Sequence, residues 1–189
     1  MTGTLHIDIG QHSAAGRKPL NQDFHGAVVP KDALLATKGV VLALADGISS
    51  SPVSQVASAA AVRGFLEDYY LTSETWPVRR AAQRVLQATN SWLHAQTQRG
   101  EGRFDKNRGH VCTFSALVFK GREAHLLHVG DTRIYRLHPQ ALEQLTEDHR
   151  VRLAETESYR GQALGLGPAP ESARRHPTHD AGQHSRRGP

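Results

Sequence analysis

The chain has little of what marks several broad classes of protein. One cysteine, Cys112, stands in 189 residues, which excludes an intramolecular disulfide and a cysteine-rich zinc site and fits a reducing compartment. No run approaches the roughly 18 apolar residues of a membrane span, and no stretch has the charged, apolar and small-residue order of a signal peptide. A cytoplasmic protein without membrane attachment is expected on these grounds. The net charge is +5, yet no basic stripe interleaved with aromatics accompanies it, so nucleic acid is not the expected partner. "GQALGLG" lacks the Lys-Ser/Thr of a phosphate loop, and no internal repeat is visible.

What remains is a soluble, globular composition, 38% apolar and 22% charged, long enough for one domain with a sizeable core. "TLHIDIG" alternates Leu5, Ile7 and Ile9 with His6 and Asp8, the period of a half-buried strand. "FHGAVV" and "GVVLALAD" read as two further strands, the second apolar on both faces and therefore central. From Ser51 the period becomes helical, with Val53, Val56, Ala57, Ala60, Ala61, Gly64, Phe65 and Tyr69 on one stripe. Ser51 is the expected cap, with Pro52 in the first turn. A second helix is expected over 77–96, with Val78, Ala81, Ala82, Val85, Ala88, Trp92 and Leu93 inward. "TQRGEGRFDKNRG" reads as a mobile loop. Strands resume with "HVCTFSALVFK" and "REAHLLHVGD" about a turn at Lys120 and Gly121, then "RIYRL" and "ALEQL". Strands, two consecutive helices and a strand meander imply an α+β layered fold with antiparallel pairing.

The last 19 residues contain no Val, Ile, Leu, Met, Phe, Tyr or Trp. Such a segment buries too little apolar surface to offset its ordering entropy, so 169–189 is expected to be a disordered basic tail behind a domain at 1–168.

Acids recur at three borders of expected strands: Asp23 in "NQDF", Asp46 in "LADG" and Asp131 in "HVGDTR". Each taken alone reads first as turn chemistry. Three rigidly mounted carboxylates also suit a hard cation. Gly47 strengthens the case at Asp46, because a residue without a side chain lets carboxylate and backbone carbonyl reach one ion. All-oxygen ligation favours Mg²⁺ or Mn²⁺. The histidines carry less. His125 and His128, three apart on a strand, fall on opposite faces, and His176, His179 and His184 lie in the tail, where metal binding would be adventitious.

The stretches "GRKPLNQDF", "LALADGISSS", "CTFSALV" and "HVGDTRIYRL…LEQLTEDH" resemble, in order and spacing, the metal-dependent PPM-type (type 2C) protein serine/threonine phosphatases over roughly residues 3 to 166. "NQDFHG", "LALADGISSS" and "GFLEDYY" are similar to the phosphatase module of bacterial proteins that carry a kinase domain farther along the chain. The resemblance implies an antiparallel β-sandwich flanked by helices, truncated here at its C-terminus, with a two-metal centre at one end of the sheets. By position, Asp46 would bridge both ions, Gly47 would add its carbonyl, and Asp23 would hold metal-bound water. Lys18 would grip the substrate phosphate where members often have arginine, and Asp131 would help bind a third, looser ion. Gln22 replaces a frequent glutamate, and Ile48 replaces a histidine proposed as general acid, leaving that protonation to water. Cys112 would be a bystander.

The implied activity is hydrolysis of phosphoserine or phosphothreonine in proteins by a metal-activated water, with Mn²⁺ or Mg²⁺ as cofactor, a phosphoprotein as substrate and a serine/threonine kinase as possible partner. Two family motifs, a "DG" and a "DN" aspartate that complete the second metal site, are not found after "ALG". The change of composition near Pro168 resembles a truncated or frame-shifted end. The competing expectation is a catalytically impaired remnant that binds phosphoproteins without turnover.

Overall fold

The structure, a computed structural model, describes residues 5–151, 160–161 and 173–176. Strand β1 (Asp23–Val28) and β2 (Val40–Asp46) pair antiparallel, and β2 pairs on its other side with β3 (Phe114–Lys120), which pairs with β4 (Glu123–Val129). β2 is therefore internal, as its two apolar faces require. The short helix α1 (Asp32–Thr37) lies between β1 and β2; it buries none of its residues, so no apolar period announces it.

Helices α2 (Ser54–Leu71) and α3 (Val78–Arg99) lie together against one face of this sheet. Small side chains make the close approach possible: Val41, Ala43 and Ala45 of β2 meet Ala57, Ala61, Val62 and Phe65 of α2 in one buried cluster. Phe65 is wholly buried and meets Phe114 of β3 edge-on, with centroids 5.0 Å apart; burial of a side chain of this size contributes about 2–3 kcal/mol.

The helical stripes lie slightly off the expected ones. On α2 the buried positions include Ser54 and Ser58, whereas Val56 is exposed. Ser54 donates to Ser51 O and Ser58 to Gln22 O, which satisfies hydroxyls that an apolar pattern assigns outward. On α3, Leu86, Thr89 and Asn90 are buried, and Ala88 and Trp92 face outward. Ser51 Oγ accepts from Val53 N in an entry turn, and the helix begins only at Ser54, so the expected cap acts one step before the helix.

Residues 5–10 carry the expected alternation of burial, yet they form no ladder among the described residues. Ile9 instead lines a small cavity against Leu42, Leu44 and Leu117 on the sheet face away from the helices, so its apolar side is buried by covering that face rather than by strand pairing. The polar stretch expected to be a mobile loop carries local structure. It forms 3-10 turns at Glu101–Arg103 and Lys106–Arg108, with Gly102 and Gly109 packed so closely on Thr97 that a Cβ at either would meet its Cγ2 at 2.7 and 2.4 Å.

The hairpin of β5 (Tyr135–His138) and β6 (Ala141–Gln144) follows as expected. The pair β7 (Arg150–Val151) and β8 (Arg160–Gly161) and the strand β9 (Ala173–His176), which pairs with β4, complete the described elements. β9 falls within the segment read as a disordered tail, the rest of which lies outside the described residues, as do His179 and His184. The architecture is an α+β fold of antiparallel sheets flanked by helices. No helix among the described residues is long and apolar enough to cross a membrane.

Candidate functional site

The antiparallel register of β1 and β2 sets Asp23 directly opposite Asp46. Two carboxylates are thus held side by side at one end of the sheet. Asn21 fixes the approach to Asp23: its Oδ1 accepts from Asp23 N at 3.1 Å, while its own amide donates to Ser13 Oγ at 2.7 Å.

Asp46 is half-buried, and its carboxyl is pushed up to about 6, first by burial, then by its hydrogen bond with Asp23 and the charges of Asp23 and Asp131, against the opposing pull of Lys18. Like charges crowded into partial burial raise a carboxyl in this way. The same crowding is relieved by a bound cation, so the donor set fits a hard divalent ion.

Behind the carboxylates the backbone is tightly held. Asp46 N donates to Thr113 Oγ1 at 3.0 Å, and Thr113 N donates to Asp46 O at 2.8 Å. Gly47 N donates to Gln22 O at 3.1 Å, and Gly47 bridges to Cys112. A Cβ on Gly47 would fall 2.7 Å from both Ser54 Cβ and Ser54 O, so only glycine fits where α2 starts beneath the loop.

Lys18 reaches the same end of the sheet from the N-terminal side. Its Nζ donates to Ser49 Oγ at 2.9 Å and to Gln22 Oε1 at 3.3 Å. Gln22 is buried; its amide nitrogen donates to Ile48 O, Ser51 O and, at 2.7 Å, Ser54 Oγ. This glutamine is a brace between β1, the loop after Asp46 and α2, a role that sequence reading did not assign to it.

Asp131 is exposed and lies near enough to raise the Asp46 carboxyl. Gly130 before it has φ +114°, and a Cβ there would meet Thr113 Cγ2 at 2.6 Å. The left-handed backbone thus lets the end of β4 cross the threonine that grips Asp46. "HVGDTR" and "TEDH" are joined by a fork in which Arg133 Nε and Nη2 donate to Asp148 Oδ1 and Oδ2 at 2.9 and 2.7 Å, and by His149 N donating to Gly130 O at 2.8 Å.

Cys112 is fully buried, and burial followed by the Asp46 charge pushes its thiol up to about 12, so it stays protonated at neutral pH. His128 is buried in contact with Ser115 Oγ at 2.9 Å, and His125 pairs with Glu123 at 3.3 Å. Among the described residues no group of three or more His, Cys, Asp or Glu is gathered tightly enough to hold a metal ion; the acids that do converge are the Asp23 and Asp46 pair, with Asp131 beside it.

Known proteins share this arrangement of strands and helices. Among curated proteins none matches. A serine/threonine phosphatase of S. agalactiae is 23% identical, with a TM-score of 0.67 over 89% of this chain and 71% of that one. A bacterial serine phosphatase is 16% identical, with a TM-score of 0.64 over 84% of this chain and 68% of that one. The serine/threonine phosphatase PstP/Ppp of Mycobacterium tuberculosis is 24% identical, with a TM-score of 0.52 over 70% and 50%. These likenesses are of fold. The family profile described as protein phosphatase 2C matches residues 10–176, which takes in Lys18, the paired aspartates and the Gly130-Asp131 turn alike, and the chain therefore belongs to the protein phosphatase 2C family.

Proposed function

We propose that the chain hydrolyses phosphoserine and phosphothreonine in proteins, with Mn²⁺ or Mg²⁺ held by Asp46 and the Gly47 carbonyl, Asp23 orienting the attacking water and Asp131 helping to bind a further, looser ion. The observation that carries this reading is the register pairing of Asp23 with Asp46, which leaves a half-buried carboxyl at about 6 beside a second acid. Such an ion, when bound, neutralises phosphoryl oxygens and acidifies a water.

The rest falls to the chain's own side chains. Lys18, steadied by Ser49 and Gln22, orients the phosphate as a point charge rather than a bidentate fork. The Asp23 carboxylate accepts a proton from the attacking water. With Cys112 buried and protonated, no thiol nucleophile is offered, and water attacks phosphorus directly to give inorganic phosphate and the free hydroxyl. Ile48 supplies no proton, so the leaving oxygen takes one from solvent.

A protein kinase must supply the substrate, since only such a phosphoryl transfer makes these esters. The lone cysteine supports a reducing cytoplasm as the place of action. A second reading has its own observation: the described residues gather no set of three metal-ligating side chains, which favours an impaired domain that grips phosphoproteins without turnover. Mn²⁺-dependent hydrolysis of p-nitrophenyl phosphate, abolished in Asp46→Asn, separates the two. A folded protein inactive at millimolar Mn²⁺ leaves only the second.

A further inference from the structure

The turn that carries Arg108 is fastened to the loop that follows Asp46. Ser50 Oγ donates to Asn107 O at 3.0 Å and Ser51 Oγ to Gly109 O at 2.7 Å, so the carbonyls on either side of Arg108 are both held by the serines that follow Asp46-Gly47. Ile48 N adds a bond to Val111 O at 3.3 Å. The polar segment read from sequence as a loose loop is, around Arg108, hydrogen-bonded to the loop that leads away from the acidic pair.

Lys18 and Arg108 both line an open cavity of about 710 Å³, together with Ser50, Asn107, Leu20 and Pro52. That volume suits a ligand of several groups, far more than a lone phosphate needs. Its charged walls are unequally engaged. The Asp105 carboxylate also lines the cavity and accepts from Asn107 N at 2.9 Å, which shapes the turn. Arg108 Nη2 meets Glu101 Oε2 at 2.7 Å, but the two side chains are 53% and 68% exposed, and a pair so open to solvent is held weakly and exchanges readily. Its guanidinium keeps further donors for a second carboxylate.

We propose that Arg108 is a specificity-determining residue that selects phosphoproteins carrying an acidic side chain next to the phosphorylated residue. This rests on the phosphatase reading of the Lys18 end of the cavity. With the phosphate at Lys18, the flanking chain runs over Leu20 and Pro52, and an adjacent glutamate or aspartate displaces Glu101 from Arg108.

The test uses two fluorescein-labelled peptides in Mn²⁺, each with a non-hydrolysable phosphonate in place of phosphoserine, one flanked by glutamates and one by lysines. Fluorescence anisotropy is expected to show the wild-type chain binding the acidic peptide about fivefold more tightly than the basic one, the range open to an exposed ion pair. Arg108→Glu is expected to invert that ratio, and Glu101→Gln, which leaves Arg108 without its competitor, to widen it. A wild type without preference, or a ratio that neither variant moves, overturns the inference. Hydrolysis of p-nitrophenyl phosphate by the wild type, measured alongside, tells the two failures apart. A chain that hydrolyses the small ester but shows no peptide preference refutes only the role of Arg108. A chain that neither hydrolyses the ester nor binds either peptide refutes the phosphatase reading, and this inference with it.

Discussion

Asp46 and Thr113 hold each other twice, once through the Asp46 amide on the threonine hydroxyl at 3.0 Å and once through the Thr113 amide on the Asp46 carbonyl at 2.8 Å. The threonine is buried, so a substitution that deletes only its hydroxyl leaves the Asp46 amide without that acceptor. Thr113→Val is nearly isosteric and is expected to cost about 1–2 kcal/mol in urea denaturation. Thr113→Ser, which restores the acceptor, is expected to recover most of the loss. An unchanged urea midpoint in the valine variant counts against the hydroxyl as the anchor of Asp46.

The Asp46 carboxyl predicts a stability that depends on pH. Its folded value of about 6 lies above the ordinary 3.8, so the folded chain holds its proton where the unfolded chain has already lost it. This contribution to stability is full below about 3.8 and is lost as pH rises through 6. Asp46→Asn, which never ionises, is expected to be more stable than wild type at pH 7.5 without metal, by about 1 kcal/mol once solvent screening of a half-buried group is allowed for. The gain is expected to vanish near pH 4. Added Mn²⁺ is expected to raise the wild-type melting temperature but not that of the variant, and to lose its effect below pH 6, where protons compete for the carboxylate. An Asp46→Asn protein less stable than wild type at pH 7.5 contradicts a crowding of charge at Asp46.

Much of this was legible in the residues. The apolar run of β2 ends on Asp46 because the strand ends there, and the same run, buried on the helix side, identifies it as internal. The paired acids were visible as strand-border aspartates, but their register was not, since pairing partners are set by contacts remote in sequence. Polar residues that serve as structure were misread. Ser54 and Ser58 occupy core positions because backbone carbonyls take their hydroxyls, and Gln22 is a buried brace between β1, the loop after Asp46 and α2. Gly102 and Gly109 suggested looseness, whereas their missing side chains allow close packing on Thr97.

Glycine in two settings offers a contrast that needs no assay of activity. At Gly47 a methyl group would press on Ser54 Cβ and on backbone atoms of α2 at 2.7–2.8 Å, which only a shift of the helix start can relieve. Gly47→Ala is expected to cost about 1–3 kcal/mol of stability and to blunt stabilisation by Mn²⁺. Gly64, within α2, has nothing within 4 Å of the added atom. Gly64→Ala is expected to stabilise by about 0.5–1 kcal/mol, because alanine loses less backbone entropy in a helix. Equal thermal shifts in the two variants are incompatible with the tight fit at Gly47.

Lys18 links substrate binding to the ionisation of Asp46, and its substitutions separate those roles. Its positive charge lowers the Asp46 carboxyl against burial and the two other acids. Removing the charge in Lys18→Ala is therefore expected to raise that carboxyl further and to move the acidic limb of the pH–rate profile to higher pH. With the phosphate grip also lost, KM for p-nitrophenyl phosphate is expected to rise about tenfold, the cost of one charge-assisted contact. Lys18→Arg keeps the charge and adds a bidentate fork, so the acidic limb is expected to stay in place while KM falls or holds. Ser49→Ala keeps the lysine but removes its 2.9 Å partner, and is expected to raise KM modestly without moving the pH profile. If Lys18→Ala raises KM and leaves the acidic limb where it was, then Lys18 holds phosphate without tuning Asp46. A shifted limb at constant KM assigns it the opposite role, and only the joint change accords with a lysine that faces both the substrate and the carboxylate.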